Sequence, residues 1–538
     1  MKKWSVVIVL GAAQFVMVLD GTVMNVSIAT VVDDLDTTVA AMQGAITFYT
    51  LTMAAVMLLG AKLGDILGRR RAFVIGSCVY ALGSLITALS PSVVVLFLGW
   101  SIIEGLGAVL VIPAIAALVA DNYAGSKRIT AYAVIGAVSG GAVAAGPLIG
   151  GFVTTYFSWR YVFVAEVVIM AVVVIAARLI NDATPRQAVR IDVLSVLLSA
   201  IGLVLVVFGM LQSKTWGWVI PTASPVIAGV EVAPLGVSLT AWLIVVGGVL
   251  IYAFVRRQTW LVARNRPPLV HVEMFGITQL RSGLGVLGAQ YAVTAGLFFM
   301  VPVYLQMTLG LDPLETGIKI FPLSISLILF SIFGTGLSRS WSPRRIVRVG
   351  QLVLIFSAIL LLGSVTPDLR GGLFAVGMFL AGAALGLLAS QIGNVNMSAV
   401  TEKQTSEVGG LQGVFQNLGS SLGTALIGSI LVGSLTTSFA AGIASSDLPA
   451  EARALITEAT ARGVDIVPAD TVDAIGQDAG LSADEASDLS TIYRESQLSS
   501  LSVAFFGLIL ISVFSLALSR GIPTAVMSSP KSRTERTT

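Results

Sequence analysis

Charge is scarce in this chain of 538 residues: Asp, Glu, Lys and Arg together make up 11%, against about 25% in soluble domains. Apolar residues make up 56%. That balance excludes a soluble globular protein and gives no basic surface for nucleic acid. Thiol and imidazole are scarcer still. One cysteine, Cys78, leaves no disulfide within the chain, and one histidine, His271, leaves no Cys/His metal cluster. A phosphate-binding loop of the G-x-x-x-x-G-K-[ST] form is missing, as is a credible catalytic triad. An enzyme is unsupported and no cofactor is implied. Met1-Lys2-Lys3-Trp4 runs straight into an apolar stretch without an A-x-A-like cleavage pattern, which reads as a retained first helix.

What the chain does have is long apolar runs. About 20 apolar residues suffice to cross a bilayer as a helix. Fourteen stretches qualify: 4–32, 40–61, 71–90, 92–120, 128–155, 159–180, 191–212, 235–255, 281–308, 314–338, 345–365, 371–394, 408–435 and 498–519. We number them spans one to fourteen. An even number puts both termini on one side. In this arrangement 25 of the 32 Lys and Arg residues fall on the terminal side. The positive-inside rule then makes that side cytoplasmic. The expectation is an all-α, multi-pass protein of a bacterial cytoplasmic membrane with both termini inside.

Two connections are long. Residues 256–280 carry basic residues and Pro267-Pro268, and read as a cytoplasmic linker between halves. Residues 436–497, outside, carry a net charge of −8. Asp447 with Glu451, and Ser482 with Glu485 at capping-box spacing, mark helix starts within it. Two or three short helices on the outer mouth are expected, either as a solvated acidic cap or as a gate or docking surface.

Span one carries Asp20 slightly past its middle. A carboxylate at the bilayer centre costs roughly 2.5–3.5 kcal/mol on insertion scales, so it faces protein or an aqueous cavity. Gln14, Met17, Gly21 and Met24 share its side at helical spacing. The plain reading is a local cap or hydrogen bond within the bundle. The sharper one is a proton or substrate site. Glu104 in span four lies at similar depth. If the helices touch, two carboxylates share a poorly hydrated site, and like charges favour holding one proton that a cationic substrate can displace. Glu166 in span six is a third candidate, unless it pairs with Arg160 or caps its helix. Lys319 is most simply paired with Glu315 one turn earlier. Gln412, Gln416, Asn417, Ser420, Ser421 and Thr424 form a polar stripe on span thirteen, and Gln290, Tyr291, Phe298, Phe299 and Tyr304 lie along span nine. Either set serves packing or lines a cavity.

Between spans two and three the chain reads Gly64-Asp65-Ile66-Leu67-Gly68-Arg69-Arg70. The glycines permit a tight turn, and the arginines can snorkel and pair with neighbouring carboxylates. Span five contains Gly146-Pro147-Leu148-Ile149-Gly150-Gly151, where small residues allow close helix approach. These motifs resemble the loop signature and antiporter motif of the major facilitator superfamily. Leu19-Asp20-Gly21-Thr22, Trp159-Arg160-Tyr161 and Tyr304-Leu305-Gln306 fit the same pattern. With fourteen spans, the chain resembles the fourteen-spanner drug:proton antiporters over nearly its whole length, residues 436–497 excepted.

The resemblance implies two six-helix bundles, 1–183 and 281–435 with 498–519. Two extra spans and a linker (184–280) stand between them, with the 436–497 insertion outside and a 520–538 tail inside. It implies proton-coupled multidrug efflux by alternating access, hence antibiotic resistance. Asp20, Glu104 and Glu166 would handle protons. Gln14, Met17, Met24, Tyr49, Ser101, Gln290, Tyr291, Phe298, Gln416 and Asn417 would line the substrate cavity. Gly64, Asp65, Gly68, Arg69 and Arg70 would latch the cytoplasmic side, and Gly146, Pro147, Gly150 and Gly151 would form the antiporter motif. The partners would be the bilayer, a hydrophobic or cationic small molecule and protons, with no nucleic acid or metal, and the chain would act as a monomer. Departures from the pattern cluster in the first half. The family's Arg-x-x-Gln-Gly in span four is here Ser101-Ile102-Ile103-Glu104-Gly105; its Trp in span two is Gly44, and its Asn in span six is Glu166. The alternative function is a lipid or lipid-conjugate translocator of the same fold, not coupled to protons. A sensor using the acidic insertion is a further possibility.

Overall fold

Among the described residues of the computed structural model, fourteen helices are long and apolar enough to cross a membrane: Ser5–Val26, Val39–Leu67, Arg69–Ala88, Val93–Asn122, Thr130–Tyr156, Arg160–Leu179, Val193–Trp216, Leu239–Ala263, Thr278–Thr308, Pro313–Leu337, Pro343–Ser364, Gly371–Met397, Glu407–Ala444 and Ala483–Gly521. They correspond in order to the fourteen expected spans. Residues 4–123, 126–181, 191–222, 224–227, 230–401, 404–460 and 463–525 are described. The tail beyond 525, and residues 182–190 of the connection between spans six and seven, lie outside them. Among the described residues, two strands of two residues each, Val226–Ile227 and Val230–Glu231, are the departure from an all-helical chain.

The helices form two six-helix bundles plus two extra helices. Span one packs on five and six, and span three on four and six. In the second bundle ten packs on twelve, eleven on twelve and fourteen, and nine on thirteen and fourteen. The bundles meet where span two crosses thirteen and span five crosses ten. Span seven lies along the seam of spans two and thirteen, around the buried residues Leu51, Val207, Leu211 and Ala425. Span eight packs chiefly on span seven and is the least buried of the fourteen.

Three expectations change. Span one is not continuous to Val32. The helix Ser5–Val26 stops at Ser27 and a separate turn, Ile28–Asp34, follows. The break strands two backbone groups, and Gln306 of span nine fills it. Its Nε2 donates to the Val26 carbonyl (2.6 Å) and its Oε1 accepts from the Ala29 amide (3.3 Å). Secondly, Glu315 is occupied by its own helix end. It forms a capping box with Asp312 and no ion pair with Lys319. Thirdly, spans thirteen and fourteen extend well beyond their apolar cores, as helices Thr405–Ala444 and Ala483–Leu518. At 1.5 Å per residue each is longer than 50 Å against a core of about 30 Å. They form the stalk of the acidic insertion. Two short helices, Ala450–Thr460 and Ala469–Asp478, sit on it, and the Ser482–Glu485 capping box starts the last span. The Tyr493 hydroxyl ties stalk to cap, donating to the Asp465 carbonyl (2.7 Å) and accepting from the Val467 amide (2.9 Å).

Candidate functional site

Glycine brings spans three and four together. A Cβ at Gly83 would lie 2.6 Å from the Glu104 nitrogen, and one at Gly107 would lie 2.4 Å from the Tyr80 nitrogen. Small residues of this kind let helix backbones approach. Span four is also π-helical from Phe97 to Glu104, a wider turn that redirects side chains and is frequent at functional sites. Three residues of this segment reach three different helices. Trp100 Nε1 donates to both Asp20 oxygens, at 2.9 and 3.0 Å, on span one. Ser101 Oγ donates to the Ala45 carbonyl on span two (2.7 Å). Glu104 meets Ser84 on span three.

The result is a buried acidic centre. One carboxylate oxygen each from Asp20, Glu104 and Glu166 lie within 4.8 Å of one another, and all three side chains are buried. No Lys, Arg or His forms an ion pair with any of them among the described residues. Arg160, the alternative partner of Glu166, instead pairs with Asp34 and donates to the Ser90 carbonyl. Tyr49 stacks on Trp100, with ring centroids 4.9 Å apart, and so braces the indole that holds Asp20.

Ser84 bridges the two glutamates. Its Oγ lies 3.0 Å from Glu104 Oε2 and 3.0 Å from Glu166 Oε2. A hydroxyl has a single hydrogen to give. It can donate to either carboxyl group or be shared between the two, and it can accept from whichever of them carries a proton. Glu104 Oε1 and Glu166 Oε1 are buried without hydrogen-bond partners, surroundings that disfavour charge on a carboxyl group. Such an arrangement can share a proton between the two carboxyl groups. Its oxygen spacing would also suit a small cation.

The other sequence candidates are spread more widely. Met17 and Met24 are buried near Asp20, while Gln14 is half-buried. Gln290 is buried, its Nε2 3.4 Å from the Leu385 carbonyl and its Oε1 unpartnered. Phe298 sits in an apolar pocket with Ile320 and Met378. Tyr291, Gln416 and Asn417 are half-buried, and Asn417 donates to its own helix at Gly413. Among the described hydrogen bonds, none joins Gln290, Gln416 or Asn417 to the acidic centre.

In the span-five motif, Gly146 and Gly150 face span one: a Cβ there would collide with Thr22 and Val23. A Cβ at Gly151 would lie 2.5 Å from the Pro313 carbonyl oxygen, and one at Gly317 would lie 2.4 Å from that of Pro147. In the turn after span two, Gly68 has φ +95°, a backbone that favours glycine. Arg69 pairs with Asp121 (2.7 Å) and donates to the Ala117 carbonyl (3.3 Å), both on span four. Asp65 has no hydrogen bond or ion pair among those described. The described hydrogen bonds that join the two bundles all lie toward the face opposite the termini. They are Gln306 to Val26 and Ala29, the Leu314 amide to Thr155 Oγ1 (3.2 Å), Ser421 to the Thr47 carbonyl (3.0 Å), and Gln43 to the Thr424 and Ala425 carbonyls.

Ser84, Trp100 and Gln43 were not among the sequence candidates. Span three does carry a signal: Ser77, Tyr80, Ser84 and Thr87 recur at helical spacing and all are fully buried. A buried polar stripe in a membrane helix marks the side that meets other polar groups.

Comparison with known proteins agrees with this architecture. The sequence model of the Major Facilitator Superfamily matches residues 10–424. The puromycin resistance protein pur8 of Streptomyces alboniger is 29% identical over 80% of this chain and 82% of its own. The tetracenomycin C resistance and export protein of Streptomyces glaucescens is 27% identical over 94% and 88%. Among solved structures, a bacterial homologue of the human lysosomal transporter Spinster, inward-facing and unoccupied, has a TM-score of 0.60 at 14% identity, covering 97% of this chain and 98% of that one. The D-xylose-proton symporter has a TM-score of 0.55 at 12% identity, covering 80% and 90%. With fourteen membrane helices and a family match over most of its length, the chain belongs to the Major Facilitator Superfamily and is a multi-pass membrane transporter, not an enzyme.

Proposed function

We propose that the chain exports hydrophobic, amphipathic or cationic drug-like compounds in exchange for protons. The observation that carries this reading is the Asp20–Glu104–Glu166 centre, with Ser84 between the two glutamates and no basic partner. A group of this kind exchanges its proton for a cationic or polar ligand. It takes over the role that an Asp and an Arg share in the family pattern. The names of two relatives support the cargo class: one is a puromycin resistance protein and the other a tetracenomycin C resistance and export protein. One proton entering down 100 mV supplies about 2.3 kcal/mol, enough for roughly a fifty-fold gradient of a neutral compound.

The charge bias supports a cytoplasmic position for the termini face. The seal made by Gln306, Gln43, Ser421 and Thr155 then closes the external side. In this reading 1–183 carries the coupling site, 281–435 with 498–519 the opposing bundle, and 184–280 the extra spans. The turn at Gly68 is the cytoplasmic latch, and Gly146–Gly151 keeps span five close to spans one and ten.

The test is proton release on adding lipophilic cations to purified protein in weak buffer, beside Asp20→Asn and Glu104→Gln. Release in the native protein that either variant abolishes is the expected result. Ligand binding without proton release in the native protein would overturn the coupling and direct attention to lipid translocation.

A further inference from the structure

A second site lies on the face opposite the termini, away from the acidic centre. The end of span seven, the turn after it, span thirteen and Gly463 of the insertion surround an open cavity of about 510 Å³. That is the size of a small-ligand pocket. Its one charged wall residue among those described is Lys214. Among the described residues the ammonium makes one hydrogen bond, to Gln43 Oε1 at 3.2 Å, and it has three hydrogens to give. No carboxylate lies within ion-pair distance of it among the described residues. Asp465, exposed on the insertion, acts on it only through space.

The rest of the lining is hydroxyl-rich. Thr222, Thr436 and Thr437 donate to backbone carbonyls; the Thr436 oxygen already accepts from the Val464 amide (3.1 Å), and those of Thr222 and Thr437 remain to accept. The pocket therefore offers a cation beside acceptors. The complementary ligand is an oxyanion that also carries hydroxyl groups.

Its position favours a source. Trp216 ends span seven and Trp218 is exposed just beyond it, the place of aromatic residues at a membrane–water interface. Spans seven and eight are the least buried of the fourteen, so lipid reaches the rim laterally. The insertion, at net −8, repels anions diffusing from water. We propose that this pocket binds the phosphodiester head group of an anionic phospholipid with a hydroxylated head, Lys214 taking the phosphate and the threonines the hydroxyls.

Occupancy has a consequence for the seal. Gln43, the partner of Lys214, is fully buried and donates to the Thr424 (3.1 Å) and Ala425 (3.3 Å) carbonyls across the seam. A Cβ at Gly428 would lie 2.2 Å from its amide nitrogen, so this cradle requires span thirteen in place. A lipid held at Lys214 fixes span seven against that seam and stabilises the externally closed form.

The experiment compares the melting temperature and lipid binding of the full chain in nanodiscs of phosphatidylcholine alone, with phosphatidylglycerol added, and with inorganic phosphate added. Lys214→Gln and Lys214→Arg are measured alongside. Phosphatidylglycerol is expected to raise the melting temperature of the native protein. Lys214→Gln should weaken its binding about tenfold or more, the scale of a charge-assisted hydrogen bond, and Lys214→Arg should retain it. Equal melting of native and Lys214→Gln protein in phosphatidylcholine verifies that the variant folds. If Lys214→Gln melts lower there, competition of spin-labelled phosphatidylglycerol for the native protein alone gives the answer. An equal effect of inorganic phosphate would overturn the lipid source and leave a free-oxyanion site. No phosphatidylglycerol effect, or one that Lys214→Gln preserves, would overturn the site itself.

Discussion

At the scale of single residues, the proposed proton exchange turns on one hydroxyl. Ser84 Oγ sits between Glu104 and Glu166 at 3.0 Å from each, and its donation to a carboxylate is a bond of about 1.5–3 kcal/mol. One pH unit corresponds to about 1.36 kcal/mol. Replacing Ser84 by Ala is therefore expected to move the pH midpoint of ligand-induced proton release by about a unit, while ligand binding at saturation persists. Ser84→Thr, which restores a hydroxyl, should bring the midpoint back. A midpoint that stays put in Ser84→Ala would take Ser84 out of the proton path. The three acids were legible in the sequence because a carboxylate inside an apolar run is costly and conspicuous. Their convergence was not, since it depends on which faces of spans one, four and six turn inward. Trp100 and Ser84 went unread because either residue is unremarkable in a membrane helix. The Lys319–Glu315 pairing failed for a local reason: Asp312, three residues before Glu315, captures it as a cap.

At the scale of elements, the site depends on how closely spans three and four approach. Gly83 sits against the backbone nitrogen and Cα of Glu104, at 2.6 and 2.7 Å from a would-be Cβ, and backbone atoms cannot rotate away as a side chain can. Gly83→Ala should cost about 1–3 kcal/mol through overpacking and separate Ser84 from Glu104. It is expected to lower the melting temperature and to abolish ligand-induced proton release together. Gly248→Ala on span eight meets nothing within 4 Å and should change neither. A Gly83→Ala protein that melts and releases protons like the native one would mean that this contact does not hold the site. The helices themselves were readable from hydropathy, and their order and number follow from it. The π-helical turn at Phe97–Glu104 was not readable, because wider turns leave no compositional trace. Nor was the interruption at Ser27: Val26, Ser27 and Ile28 continue an apolar run, and the partner that makes the break tolerable, Gln306, lies on another bundle.

At the scale of the molecule, the two bundles are joined by hydrogen bonds toward the face opposite the termini, and alternating access requires those bonds to part. Thr155 on span five and Leu314 on span ten report on this directly, since the Leu314 amide donates to Thr155 Oγ1 at 3.2 Å. The chain is well suited to thiol cross-linking: its one cysteine, Cys78, is exposed on span three and can be replaced by Ser without touching the seam. In a Cys78→Ser background, Thr155→Cys with Leu314→Cys should cross-link rapidly with a short bifunctional reagent. Once linked, the protein should lose at least nine-tenths of its transport, because external opening would break a covalent bond. Ligand binding from the termini face should survive, and a cleavable reagent should return transport on reduction. Membrane potential and a proton gradient are expected to change the cross-linking rate, since they shift the populations of the two forms. Transport that continues undiminished in fully cross-linked protein would mean that spans five and ten do not separate on that face. The external gate would then lie elsewhere, at the seam of spans two and thirteen that Gln43 and Ser421 hold.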